Sequence, residues 1–400
     1  MSAPCHQKRM GPVCFLNWTW RSEENAKMEK CRGADDILME TFAENTWVCR
    51  QAGLGFGWAT QGQSETPLHA TPILSCLCAS GHCPTDRKLL APFSEILHAE
   101  DRLWYCGLSV NSSLPAMQQV MNDLEEAMQS LGLLFEREYS WDIFCSMMKR
   151  QSHYVFERAE LPKGITVEMR ALLVDWLIQV HDSFRCAEET LYLCVHLLNS
   201  CLWLSKVNPS TFQLLGMTCL FIACKKEECL LPETTELCFL MENSFSKKQL
   251  LKMERKILDT LKFDVSYAQP LHFLHIVATV GRCKQKVIFL AKYFLELTLL
   301  DPEYTLYEPA QLAAAALCLS RKLLNKNCCW DEEEAWARAG QLYSFSKIML
   351  TKIQQRMLKA AAQASSLETQ ATFLKYSIPE RLKISSHPAI FYAHPLNEYS

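Results

Sequence analysis

This 400-residue sequence has little net charge and no long apolar run. Its 41 basic and 44 acidic side chains leave a formal charge of −3, which argues against a chain-wide electrostatic footprint for nucleic acid. No apolar run reaches the roughly 18 to 20 residues of a membrane span, and the stretch 287–300 is interrupted by Lys292 and Glu296. We therefore expect protein partners, with no nucleic acid and no membrane among them.

The signature of a secreted protein is also missing. No charged segment followed by an apolar segment opens the sequence, so we expect no secretory signal. Cysteine is abundant, at 20 residues. However, Cys194, Cys219 and Cys224 lie among Leu, Val and Ala in helical stretches, which is typical of small buried hydrophobic side chains. We expect reduced thiols and a location in the nucleus, the cytoplasm or both.

Metal-binding and catalytic motifs are scarce. Cys76, Cys78 and Cys83, with His82 beside them, could form half of a zinc site. Structural zinc needs a second pair of ligands downstream, and none is evident. Motifs typical of cysteine proteases or zinc deaminases are not found. We expect no metal, no cofactor and no catalytic residue, and hence a protein that is not an enzyme.

Glycine becomes rare after residue 115, where the pattern of the sequence changes. Eight of the 13 glycines precede that point, so the first segment is rich in turns and poor in long periodic patterns. Residues 1–114 are therefore predicted to be an N-terminal extension of unknown structure. From Pro115 the apolar residues follow helical spacing, which predicts a helical N-terminal segment over 115–160.

The remaining sequence is dominated by helical patterns. In the clearest helix the apolar residues recur at intervals of three and four, as on one face of an α-helix. These residues are Met169, Leu172, Leu173, Trp176, Leu177 and Val180. The other predicted helices are Tyr139–Tyr154, Glu188–Leu204, Pro209–Glu227, Pro232–Met241, Ser246–Leu261, Pro270–Val280, Lys286–Leu299, Glu308–Leu324, Asp331–Leu342 and Ser346–Ala361.

Residues typical of helix starts precede several of these patterns. Thr166 is the expected N-cap of the clearest helix. A capping box opens the helix at Ser246, where Gln249 occupies the third helical position. Pro209 and Pro232 fit the first turns of their helices, where a missing N–H costs little.

Two similar helical units are predicted. The helix over 209–227 is apolar on nearly all sides, which indicates a buried central helix. The segment Gln311–Lys322 resembles Gln213–Lys225 at an offset of about 98 residues, a weak internal repeat. We predict units over 161–268 and 269–362, followed by a C-terminal tail over 363–400.

Several segments resemble the cyclin family in order and spacing. Met169–Leu177 resembles the opening helix of the cyclin box, Gln213–Glu228 its third helix and Leu250–Glu254 its fifth. Leu374–Ile384 is similar to the end of A- and B-type cyclins, and Tyr139–Phe144 and Met169–Val180 are most similar to P-type cyclins. The resemblance implies an all-α fold with two tandem five-helix cyclin-box units, an N-terminal helix and a poorly defined N-terminal extension.

The resemblance implies a regulatory subunit that binds and activates a cyclin-dependent protein kinase in cell-cycle control. Such a kinase needs an ion pair between a strand lysine and a helix glutamate before phosphoryl transfer. A partner that binds only the competent state shifts the population toward it. Two alternatives stay open: a cyclin-fold transcription or scaffold protein, and a degenerate cyclin that binds a kinase without activating it.

The resemblance also assigns the kinase-contact residues. Lys225 and Glu254 match positions that make polar contacts to the kinase in relatives. Tyr139 and Ile143 match contact positions of the family's N-terminal helix, whereas a third position, usually large, is Ser146.

Further positions match the structural signature of the cyclin box. Arg170 and Leu214 are present as the family has them. The aspartate that normally holds the arginine is replaced by Asn199. We expect a neutral amide to hold Arg170 less firmly than a carboxylate does, because charge-assisted hydrogen bonds are stronger.

A groove on the first helix is implied as a docking site for Arg-x-Leu substrates. Its lining residues would be Met169, Leu172, Leu173, Trp176, Gln213 and Leu240. By pattern alone, the apolar members would equally be core residues. Gln179 replaces the acid that pairs with the docked basic residue, and Pro209 replaces an arginine at the edge of the groove. We expect docking to be weakened or altered.

Overall fold

The computed structural model describes residues 114–132, 137–324, 329–343 and 345–392. Across these ranges the secondary structure is α-helix with short 3-10 turns, and they contain no strand. The all-α prediction is therefore confirmed for the described part of the chain. The predicted extension over 1–114 lies outside the described residues except for Leu114, as do the four side chains of the disfavoured zinc site.

Fourteen α-helices occur within the described residues. In chain order they are α1 (Leu114–Ser130), α2 (Ser140–Arg150), α3 (Val167–Phe184), α4 (Glu188–Leu204), α5 (Phe212–Glu227), α6 (Thr234–Leu240), α7 (Lys247–Thr260), α8 (Pro270–Val280), α9 (Gln285–Thr298), α10 (Pro309–Leu324), α11 (Trp330–Ala339), α12 (Lys347–Gln363), α13 (Ala371–Lys375) and α14 (Pro388–Tyr392). Helices α3–α7 form a first unit and α8–α12 a second, as predicted. None of the described helices combines the length and apolarity that a bilayer crossing requires.

Two of the predicted helix starts are confirmed in detail. At the start of α3, the backbone N–H of Met169 donates to Thr166 Oγ1 at 3.2 Å. At the start of α7, Ser246 and Gln249 form both hydrogen bonds of a capping box. Each arrangement satisfies backbone N–H groups that have no partner inside the helix.

The two prolines behave differently. Pro209 opens a 3-10 turn that leads directly into α5, so the predicted start is confirmed, with a tighter first turn. The prediction that Pro232 lies in the first turn of α6 is wrong. Glu233 caps that helix, because it exchanges hydrogen bonds with the backbone and side chain of Glu236, and Pro232 is left outside.

The first unit surrounds α5, as the sequence predicts. Every residue from 214 to 224 is buried, and α5 packs against α3, α4 and α7. Gly216 lets α3 come close, since a Cβ there would lie 3.0 Å from Cδ2 of Leu173. Small residues on a central helix therefore allow three neighbours to pack tightly around it.

The second unit repeats this arrangement around α10. Residues 313–316 are four consecutive alanines, all buried, and α10 packs against α8, α9 and α12. Like α5, it is the third helix of its unit. The internal repeat seen between 213–225 and 311–322 thus corresponds to two equivalent central helices.

The N-terminal helices pack on the second unit. Helix α1 contacts α8 and contributes the buried side chains of Val120 and Leu124 to the core of that unit. On α2, the ring of Phe144 lies 6.4 Å from that of Phe273 at 73°, an edge-to-face contact. Helices α1 and α2 of the segment predicted over 115–160 are therefore anchored to the second unit.

The C-terminal tail predicted over 363–400 contacts both units. The backbone N–H of Ala371 donates to Oδ1 of Asp175 on α3, at 2.8 Å. Four residues later, Lys375 Nζ pairs with Oε2 of Glu296 on α9, at 2.7 Å. Both ends of that ion pair are buried, so residues 371–375 of the tail belong to the folded core.

Replacing Gly216 with alanine is expected to lower the free energy of unfolding by about 1 kcal/mol. The added Cβ would lie 3.0–3.2 Å from three atoms of buried Leu173, and overpacking costs about 2 kcal/mol. The higher helix propensity of alanine offsets about 1 kcal/mol of this. Urea unfolding followed by circular dichroism measures the difference.

The matched control is Gly340→Ala. A Cβ at Gly340 meets no atom within 4 Å, and its φ of −63° suits any residue. This variant should be as stable as the parent or more stable by about 0.5 kcal/mol. Equal stability of the two variants would contradict the close packing of α3 on α5.

Candidate protein-interaction site

Lys225 and Glu254, predicted as separate kinase contacts, bind each other. Lys225 Nζ lies 2.6 Å from Glu254 Oε1, and the exposed fractions of the two side chains are 40% and 11%. The Lys225 ammonium also lies 4.4 Å from the centroid of the Phe221 ring. The pair therefore presents a half-exposed cation whose partner carboxylate is mostly covered.

The position of Glu254 follows from the amphipathic face of α7. Leu250 and Ile257 are buried against α5 and flank Glu254 at spacings of four and three. These three residues share one face of the helix, so packing of the two apolar side chains directs the carboxylate toward α5. Lys225 lies in the last turn of α5, where a cation also favours the helix dipole.

Sequence reasoning missed the exposed apolar side chains that follow these two helices. Leu258 is one turn beyond Glu254, and its carbonyl accepts the N–H of Phe263 at 2.9 Å. Phe263, which follows α7, is 68% exposed. Leu230 and Leu231, which follow α5, are 88% and 49% exposed. Periodicity could not identify them, because an apolar residue just outside a helix looks like an ordinary core residue until its burial is known.

Tyr139, Ile143 and Ser146 share one face of the N-terminal helical segment, since they are spaced by four and three residues. Tyr139 is 48% exposed at the start of α2. Ile143 is partly buried against the core of the second unit, and Ser146 is exposed. This face belongs to a helix packed on the second unit, whereas Lys225 belongs to the first.

Arg170 is buried where the first unit meets the second. Its Nε and Nη2 atoms donate to Asn199 Oδ1 at 3.1 and 2.7 Å. Its Nη1 donates to the carbonyls of Leu299 and Leu300, both at 3.0 Å. Burial lowers the pKa of the guanidinium to about 10, and the charge of Asp301 opposes that shift. Leu214, the other signature residue, is buried in the core of the first unit.

Replacing Asn199 with aspartate is expected to raise the free energy of unfolding by about 1 kcal/mol, because neutral hydrogen bonds become charge-assisted. A carboxylate beside the guanidinium should have a lowered pKa. The stability that this carboxylate adds should therefore be present at neutral pH and disappear as the pH falls through its folded-state pKa. Urea titrations at several pH values measure this, and a gain that persists in acid would contradict the explanation.

The predicted substrate groove is only partly accessible. Its members Met169, Leu172, Trp176, Gln213 and Leu240 are partly buried and keep some exposed surface. The sixth member, Leu173, is only 3% exposed and packs on Gly216. Leu173 is therefore a core residue.

Gln179 and Pro209, the two departures predicted at the substrate groove, both contact other parts of the protein. Gln179 Nε2 donates to Asp175 Oδ2 at 3.0 Å, while the other oxygen of that carboxylate accepts the Ala371 N–H. Burial raises the pKa of Asp175, and these hydrogen bonds oppose the shift. Pro209 lies at the 3-10 turn before α5, where its Cγ approaches Gly164.

The described residues contain no group of three His, Cys, Asp or Glu side chains placed to bind a metal ion. Eleven cysteines lie in the described ranges, and none of them forms a disulfide there. The Sγ atoms of Cys186 and Cys224 lie 3.9 Å apart.

Comparison with known proteins identifies the fold. Residues 142–266 match the cyclin N-terminal domain, and residues 268–390 match the cyclin C-terminal domain. A G2/mitotic-specific cyclin-B2 from Oryzias latipes is 39% identical over 238 residues, which cover 58% of this chain and 60% of that protein. The Homo sapiens cyclin-B2 is 35% identical over 231 residues, 57% of this chain and 56% of that protein.

A solved structure of a viral cyclin from herpesvirus saimiri has a TM-score of 0.47 and 20% identity, covering 55% of this chain and 97% of that one. For the two cyclin-B2 relatives, by contrast, the matched segment spans 60% and 56% of their length. The similarity to P-type cyclins stays a prediction. With both domain families matched in tandem across more than half of its length, the chain belongs to the cyclin family.

Proposed function

We propose that the chain is a non-catalytic regulatory subunit that binds and activates a cyclin-dependent serine/threonine protein kinase in cell-cycle control. The observation that carries this proposal is the Lys225–Glu254 pair, which offers a half-exposed cation between two packed helices. The exposed side chains of Phe263, Leu230 and Leu231 supply apolar area for a protein partner. Tyr139 and Ile143 would add a second contact from α2.

The proposed mechanism is a population shift. A rigid bundle with a preformed face favours whichever kinase conformation fits that face. The shift is limited to the difference in its affinity for the two kinase states. The required state has the strand lysine and the helix glutamate of the kinase paired for phosphoryl transfer. No catalytic group of the cyclin is needed for this.

The finer parts of the proposal concern docking, location and domain limits. Arg-x-Leu substrates would dock weakly on Met169, Trp176 and their neighbours, because Gln179 carries no charge to attract a basic residue. We propose the nucleus or the cytoplasm as the location. The limits 161–268 and 269–362 are proposed for the two cyclin-box domains.

A second candidate is a cyclin that binds a kinase without activating it. Three departures favour it: Asn199 beside the buried arginine, Gln179 and Pro209 beside the substrate groove. Each removes a charge where the family uses one. Binding through Lys225 and Glu254 would be untouched by these changes.

Isolation of the protein from cells separates the candidates. We expect a cyclin-dependent kinase to be recovered with it, and the complex to phosphorylate a histone substrate. Recovery of a kinase without phosphorylation would support the second candidate. Recovery of no kinase would contradict both.

A further inference from the structure

A groove of about 590 Å³ lies at the end of α4, on a surface that the proposed function does not use. One wall is the connecting segment that runs from Arg158 to Lys163. The other wall is the end of α4 and the turn after it, from residue 202 to residue 207. The groove is open to solvent and has both apolar and charged lining.

The floor of the groove is apolar and preformed. The Trp203 ring lies 6.0 Å from the Phe156 ring at 76°, an edge-to-face contact, and the Arg158 guanidinium lies 5.4 Å from its centroid. These contacts hold the indole in place without a ligand. Beside it, Leu204 is 57% exposed at the last position of α4. An ordered indole next to an exposed leucine is a suitable anchor site for an apolar side chain.

The rim of the groove is positively charged. Arg158, Lys163 and Lys206 line it, against one acid, Glu160. Arg158 and Glu160 are 3.4 Å apart and both well exposed, so their pairing is weak. Neither lysine has an ion-pair partner among the described residues.

A second, smaller depression of about 80 Å³ adjoins the groove across the turn at 205–207. Lys206 lines both, and Lys256 lines the smaller one. No acidic side chain lines the smaller depression within the described part of the chain. Together the two depressions are lined by four basic side chains and one acidic side chain. The protein as a whole has a formal charge of −3.

We propose that this surface, formed by Trp203, Leu204 and the cations around them, binds an acidic peptide segment of a partner protein. The peptide would place a bulky apolar side chain on Trp203 and Leu204, and its carboxylates toward Lys163, Lys206 and Lys256. Charge complementarity selects the acidic partner and speeds its association. Burial of the apolar anchor supplies most of the affinity.

A peptide fits this surface better than a nucleic acid does. Single strands bind to aromatic platforms on which successive bases stack, whereas here one aromatic side chain lines the groove. The rest of the floor is aliphatic, with Leu161, Leu204 and Val207 among its members. Aliphatic floors suit apolar side chains.

The groove lies at the opposite end of α4 and α5 from Lys225, whereas Lys256 in the smaller depression is two residues from Glu254 on α7. Helices α4 and α5 run antiparallel, since the N–H of Ala187, just before α4, donates to Glu228, just after α5, at 2.8 Å. The sixteen residues of α5 therefore separate the groove from Lys225 by about 24 Å. If the proposed function holds, a peptide anchored on Trp203 and Leu204 leaves Lys225 accessible to the kinase.

The test selects a phage-displayed library of random linear peptides on the full chain, without kinase. We expect enrichment of peptides in which Asp and Glu surround a Leu, Phe or Trp. Recovered peptides, labelled with fluorescein, are then titrated by fluorescence anisotropy. Lys163→Glu/Lys206→Glu should weaken binding by about tenfold or more, and Leu204→Asp should weaken it as well. All three side chains are exposed, so the variants should fold, which circular dichroism checks.

The matched control reverses two exposed lysines of α12, Lys347→Glu/Lys359→Glu, and should bind the peptides like the parent. Four outcomes would overturn the proposal. They are no enrichment, enrichment of basic peptides, equal loss in both double variants, and displacement of the peptides by a single-stranded oligothymidylate. Because no kinase is present in this assay, its failure would leave the proposed function untouched, and failure to recover a kinase from cells would leave the peptide result untouched.

Discussion

A variant with the charges of Lys225 and Glu254 exchanged should keep its fold and lose its kinase. In the double variant Lys225→Glu/Glu254→Lys the two side chains still attract each other, so the contact between α5 and α7 is retained. The partner now meets a half-exposed carboxylate in place of an ammonium. Loss and reversal of an interfacial charge cost at least about 2 kcal/mol, or about thirtyfold in Kd. Recovery of the kinase from cells and circular dichroism measure the two effects.

A second interhelical pair offers the control for this exchange. Lys292 Nζ and Glu188 Oε2 are also 2.6 Å apart, and both are partly buried. The exchange Lys292→Glu/Glu188→Lys applies the same chemistry outside the proposed contact and should retain the kinase. If the 225/254 exchange also recovers kinase normally, the assignment of the contact to this pair is wrong.

Replacing Lys375 with methionine should lower the free energy of unfolding by about 3–5 kcal/mol, the usual cost of breaking a buried ion pair. The Glu296 carboxylate is 1% exposed. One of its oxygens is 2.7 Å from Lys375 Nζ and 3.3 Å from the Tyr376 hydroxyl. The other has no hydrogen-bond partner among the described residues. Without the ammonium, the core would hold a nearly unpaired charge. Urea unfolding measures the loss.

The double variant Lys375→Met/Glu296→Leu tests the cause. Apolar side chains of similar volume often replace a buried ion pair without loss of stability, so most of the stability should return. Lys383→Met removes an exposed lysine from the same tail and should change little. A double variant as unstable as Lys375→Met alone would show that lost packing, and not the carboxylate, causes the effect.

The helices were predictable because each depends on residues close together in the sequence. The apolar stripe from Met169 to Val180 and the caps at Thr166 and Ser246 are local patterns, and the structure agrees with them. The error at Pro232 is also local in origin. A proline fits both the first turn and the position just before the cap, and the side chain of Glu233 decides between them.

Contacts between distant segments could not be predicted in this way. An apolar face on α1 or α2 would look the same whether it packed on the first unit or the second. Likewise, no periodic pattern connects Lys375 with Glu296, 79 residues earlier. Only the folded chain brings them together.

The candidate site was predictable only through the family resemblance. Lys225 and Glu254 are, taken singly, ordinary helical charges, and nothing in their spacing indicates that they bind each other. Periodicity also cannot tell which residues of the predicted groove are accessible and which are buried. Leu172 and Leu173 are neighbours in the same stripe, yet Leu172 keeps exposed surface while Leu173 packs on Gly216.

The hydrogen bonds of Arg170 bear on how freely this architecture can be divided. Tandem repeats are often treated as modules that evolution or an engineer may separate. Here a guanidinium of the first unit satisfies the carbonyls of Leu299 and Leu300 in the second. Excising either repeat would break both of these hydrogen bonds and expose to water the side chain or the carbonyls that the other unit now covers. The two repeats share one arrangement of helices, but hydrogen bonds between them make each one depend on the other.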